Sequence, residues 1–83
     1  MGQKPSVGRV VHYVSCGTPG GEYTSECRAA IVAEVDEYQP GEGRFIGHVN
    51  LCVLNPKGVF FDAGVLQDEE HRRGGTWHWP ERV

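Results

Sequence analysis

The apolar residues of this chain come in short stretches separated by clusters of Gly and Pro, and most of the stretches alternate with a period of two. The first runs from Val7 to Val14 (VGRVVHYV), with Val7, Arg9, Val11 and Tyr13 on one face and Val10, His12 and Val14 on the other. Apolar side chains on both faces suit a strand in a tightly curved sheet. Ser15 to Ser25, with Gly17, Pro19, Gly20 and Gly21, reads as a long loop. Glu26 to Glu37 has two readings. As a strand, Cys27, Ala29, Ile31, Ala33 and Val35 face the core and Arg28, Ala30, Val32 and Glu34 face out. As a helix capped by Ser25, Cys27, Ala30, Ile31, Glu34, Val35 and Tyr38 form a stripe. The strand is preferred over Cys27–Val35 because the segments that follow need a pairing neighbour. Pro40, Gly41 and Gly43 mark a turn. From Arg44 to Asn55, Phe45, Val49, Leu51 and Val53 alternate on one face. Asn55-Pro-Lys-Gly58 is a tight-turn signal, and Val59–Asp62 returns as the second arm of a hairpin. Gly64–Leu66 ends that region, Gln67–Gly75 reads as a charged loop, and Thr76–Trp79 is a last short strand stopped by Pro80.

Several short strands in 83 residues predict an all-β chain, a small SH3-like antiparallel barrel with one long Gly/Pro-rich loop, in which closure removes exposed edges. The length permits a single domain over residues 1–83, with 1–6 as a flexible entry. A core this small leaves stability thin, so self-association into a homo-oligomer is expected.

Charge narrows the partners. The net charge of −3 disfavours bulk nucleic-acid binding through phosphates, though Arg9, Arg28, Arg44, Arg72 and Arg73 could still form a local basic pocket. Three cysteines, Cys16, Cys27 and Cys52, form no CxxC pair, and the odd count argues against a secreted disulfide framework. Cys27 and Cys52 are expected inward or half-buried, all three unbridged, and Cys16 the most reactive. The start of the chain has no apolar signal region and no run approaches membrane-spanning length, so a cytoplasmic protein without membrane contact is expected.

The chemistry-bearing residues are few. On a strand Trp77 and Trp79 share one face and His78 takes the other; the tryptophans plug the barrel or offer a stacking surface. Gly17-Thr-Pro-Gly-Gly21 lacks the Lys and Ser/Thr of a phosphate loop and reads more simply as a turn. His12, His48, His71 and His78, with Asp68, Glu69 and Glu70, match no metal-ligand spacing, so no metal and no cofactor are expected. Cys16 or Cys27 with His12 or His78 supplies fragments of a nucleophilic set, but no complete catalytic signature occurs, and no enzymatic activity is expected.

Val7-Gly-Arg-Val-Val-His-Tyr-Val14, Ala30-Ile-Val32, Val49-Asn-Leu51 and the closing Gly75-Thr-Trp-His-Trp-Pro-Glu81, in this order, resemble a set of small uncharacterised phage, prophage and actinobacterial proteins. The resemblance covers most of the chain. It implies a phage or prophage origin and no established activity. Aromatic rings, arginines and a Gly-rich loop without a catalytic set suggest a phage-type module that binds a small nucleotide-like ligand, as an anti-defence sponge for a nucleotide-derived immune signal. That last step is analogy from size and origin. The expected ligand residues are Tyr13, Tyr23, Arg28, His78 and Trp79 around one mouth, with Arg9 and Arg73 beside them: guanidinium for phosphate, ring for base. The alternative is a protein–protein interaction module, either a virion accessory protein or an inhibitor of a host enzyme.

Overall fold

The computed structural model describes residues 4–16, 26–38 and 45–80, and these form a small all-β, SH3-like barrel. Its strands are β1 (Val10–Val14), β2 (Cys27–Glu37), β3 (Gly47–Asn55), β4 (Gly58–Gln67) and β5 (Thr76–His78). Each pairs with the next, and β5 closes on β1. Four of the five contacts are antiparallel, and β4 meets β5 in parallel. A ring with an odd number of strands cannot alternate direction all the way round, so one parallel joint is obligatory. It is short, limited to Leu66↔Thr76 and Gln67↔Trp77, so the chain reaches it through a compact loop and not a long crossover.

The core is a column of inward side chains: Val11 and Tyr13 from β1, Ala30 and Val32 from β2, Val49, Leu51 and Val53 from β3, Val65 from β4 and Trp77 from β5. Phe45, Val35 and Trp79 pack against it. The alternation expected in β3 places its apolar face inward, and Trp77, fully buried, fills the barrel.

Several boundaries and one face differ from the sequence expectation. The first strand starts at Val10, not Val7: Val7 and Gly8 form a turn in which Arg9 N–H donates to the Ser6 carbonyl at 3.1 Å and Gly8 has φ +92°. The third starts at Gly47, not Arg44, and the fourth runs on to Gln67, past Asp62. The entry is held down where it is described: Pro5 is buried and Lys4 pairs with Glu37 at 2.8 Å. Cys27–Glu37 is a strand, but its faces are reversed up to the bulge at Ala33; beyond it Val35 packs on the core and Glu34 is exposed, as expected. Ala30 and Val32 point into the core, whereas Ile31 is 37% exposed and Cys27, Ala29 and Ala33 are also outward. Partners directly opposite in an antiparallel pair share a face, and Val11↔Ala30 and Val32↔Leu51 settle which. A barrel this narrow has room for the small Ala30 where the sequence pattern favoured bulkier Ile31. Cys27, expected inward or half-buried, is therefore exposed, Cys52 is half-buried, and all three cysteines are free thiols.

Curvature comes from two bulges on the strands flanking β3. On β2, Ala33 is the extra residue between Val32↔Leu51 and Glu34↔Asn50. On β4, Ala63 and Gly64 oppose only Asn50 between Val49↔Val65 and Leu51↔Asp62, and Gly64 takes φ +68°. The Asn50 side chain joins the two: its amide donates to Glu34 Oε1 at 2.5 Å, and its Oδ1 accepts from Gly64 N–H at 2.9 Å.

Candidate functional site

Strand register distributes the expected ligand residues over separate places. Tyr13 is core; its hydroxyl donates to Asp62 Oδ2 at 2.7 Å, across the barrel from β1 to β4, and its ring meets Phe60 edge-on. Burial first, then the bond to Asp62, pushes the phenol well above its usual pKa. Arg28 lies opposite Tyr13 in the register, so it belongs to the inward side of β2, not the outward side expected, and its guanidinium reaches Glu26 at 3.4 Å. Trp79 and Arg9 meet toward the other end of the barrel. Trp79 packs edge-on against Trp77 at 5.3 Å, and the Arg9 guanidinium lies 5.1 Å from the Trp79 ring centre. Arg73 is on the β4–β5 loop, clamped to Asp68 at 2.7 Å. Tyr23 and the Gly17–Gly21 run lie outside the described residues. The structure thus brings together Tyr13 with Arg28, and Arg9 with Trp79. Arg9 precedes Tyr13 by four residues, about 13 Å of extended chain.

His78 departs furthest from the expected mouth. It takes the outer face of β5, yet it is fully buried. Its register partner is His12 on β1, and the two imidazoles meet edge-on with centroids 5.4 Å apart. Cys27, two residues from His12's partner Ala29 on β2, shares that face, and its Sγ lies 3.8 Å from His78 Nε2. One donor atom from each of His12, Cys27 and His78 falls within 4.8 Å of the others. Sequence spacing gave no sign of this trio, because its members sit on three strands far apart in the chain; only the order β2-β1-β5 makes them neighbours.

The β4–β5 loop is organised around Asp68. This carboxylate, 7% exposed, accepts from the backbone N–H groups of His71 and Arg73 and from Arg73 Nε. The Arg73 contact, then the backbone donors, hold its pKa far below the usual carboxylate range despite burial. The next carboxylate, Glu69, accepts from Trp79 N–H at 2.8 Å. The acidic run expected to be a plain solvated loop therefore fixes the approach to β5.

Part of the outer face of β1–β4 is apolar. Val10↔Ile31, Ile31↔Cys52 and Cys52↔Phe61 form one unbroken row across β1, β2, β3 and β4. Beside it lies the Leu54↔Val59 pair. None of these six residues carries a charge, and five are exposed, Phe61 most of all at 76%. Sequence alternation missed the row because it assigned Ile31 to the core.

No helix among the described residues is long and apolar enough to cross a membrane. No family model, no curated protein and no solved structure matches the chain.

Proposed function

We propose that this chain is a protein–protein interaction module that assembles with a second copy of itself through the outer face of β1–β4. The observation that carries the reading is the row Val10–Ile31–Cys52–Phe61, with Leu54 and Val59 beside it. β3, in the middle of this face, is paired on both sides by β2 and β4, so a partner seated over it meets side chains and adds no strand there. Exposed apolar side chains that form a contiguous surface mark such meeting places. The row is uncharged while the chain as a whole is −3, so two copies can appose it without stacking like charges. A two-fold axis lets the same patch cover itself. A standard interface buries about 800 Å² per partner, roughly a seventh of the 5678 Å² of accessible surface here, so one face is enough.

Sedimentation at micromolar concentration tests this. The wild type is expected to associate, and Phe61→Lys and Ile31→Glu are expected to stay monomeric while keeping the wild-type circular dichroism spectrum. A wild type that remains monomeric, or variants that associate equally well, refutes it.

A second reading, a small nucleotide-like ligand, has Arg9 over the half-buried Trp79 in its favour: one cation and one ring already adjacent. A thermal-shift screen against nucleotide-derived signals checks it. A stabilising hit that disappears in Arg9→Ala supports it, and a flat panel removes it.

A further inference from the structure

We propose that His12, Cys27 and His78 form a binding site for a thiophilic divalent cation, Zn²⁺ first, on the outer face where β2, β1 and β5 lie side by side. The donor set is two imidazoles and one thiol, the ligand types zinc takes most readily. The backbone supplies the convergence: His12↔His78 is a register pair, and Cys27 shares their face one strand over, two residues from His12's own partner. Their three donor atoms lie within 4.8 Å of one another, and Cys27 Sγ is 3.8 Å from His78 Nε2. Bonds of about 2.3 Å to sulfur and about 2.0–2.1 Å to nitrogen in a tetrahedron hold donor atoms roughly 3.3–3.6 Å apart. The Cys27–His78 spacing is thus nearly that of a metal site already, and the widest spacing, which involves His12, closes by about 1.2–1.5 Å through side-chain rotation at the half-buried His12 and the exposed Cys27.

The two imidazole planes stand at 84°, edge to face. On binding, Cys27 gives up its thiol proton to solvent and becomes a thiolate, and both histidines bind as neutral rings. One thiolate leaves the bound ion with a net charge of +1, and three protein ligands leave a fourth position for water or an incoming donor. The ion would also tie β5, the shortest strand at three residues, to the two strands on its antiparallel side.

The test uses the whole chain, purified in a chelator and then dialysed. Titration with Zn²⁺ is expected to reach one equivalent and to raise the melting temperature. Co²⁺ in its place is expected to give visible bands of tetrahedral strength and a near-ultraviolet thiolate-to-metal band. Cys27→Ser removes the thiolate band, and Cys27→Ser and His12→Ala each weaken Zn²⁺ binding by more than the roughly 10–100-fold that loss of an outer-shell partner costs. Cys27 is exposed and His12 half-buried, so both variants should fold, which circular dichroism verifies; His78, fully buried although on the outer face of β5, is left intact. The Cys16→Ser/Cys52→Ser double variant keeps the band. The site is refuted if Zn²⁺ gives no saturable uptake, if Co²⁺ gives no thiolate band, or if the band survives Cys27→Ser.

Discussion

At the scale of single residues, two side chains next to each other in sequence face opposite ways and do different work. Trp77 is fully buried and touches Phe45 and Trp79; His78, one residue on, joins His12 and Cys27 outside the barrel wall. A domain of 83 residues is held by roughly 4–12 kcal/mol. Trp77→Ala, at about 3–5 kcal/mol, should therefore remove most of the cooperative transition in urea. Trp79→Ala, at a half-buried ring, should shift the midpoint far less; equal shifts would mean that Trp77 is not the central plug. Asp68 gives a pH prediction. Its pKa is lowered in the folded state, so the stability it contributes is complete above about pH 4, near the value of an unfolded aspartate. That stability fades as pH falls below this point. Asp68→Asn should lower the melting temperature at neutral pH and flatten its decline between neutral and acid. An unchanged acid limb would place the acid sensitivity elsewhere.

At the scale of elements, the decisive features are the two bulges and the asparagine between them. A regular five-stranded ladder would need some other source of bending; Ala33 and Gly64 supply it on either side of β3. Gly64 has φ +68° and nothing within 4 Å of an added Cβ, so Gly64→Ala carries backbone strain without a clash. A cost of about 1–2 kcal/mol is expected. Asn50→Ala loses a hydrogen bond to each bulge and should cost about 1–2 kcal/mol in total. Because both variants act on the same bulge, a double-mutant cycle should be non-additive; strict additivity in denaturant titrations would separate the two features. Gly47 is a steric case: a Cβ there would run into the Asp36 carbonyl of the neighbouring strand, which is backbone and cannot swing aside.

At the scale of the whole molecule, closure converts a set of marginal strands into one cooperative unit. If two copies share the apolar row, stability depends on mass action: the wild-type melting temperature should rise with protein concentration, and that of Phe61→Lys should not. A concentration-independent wild-type transition would count against the dimer even if the fold were unaltered.

Much of this architecture was legible in the sequence. Alternation in Val49, Leu51 and Val53, the Asn55-Pro-Lys-Gly58 turn and the Gly/Pro punctuation determine that the chain is β, where the hairpin turns and which face of β3 is buried. These are local properties, set by a period of two and by turn chemistry. The inward face of β2 was not legible, because Ile31 and Val32 are adjacent and equally apolar; the narrow interior chose Ala30 and Val32, and the bulge at Ala33 brought Val35 partly back. Nor was the grouping of Arg9 with Trp79, the separation of both from Arg28, or the meeting of His12, Cys27 and His78. Each depends on which strands become neighbours and in what register, and register is decided only when the whole barrel closes.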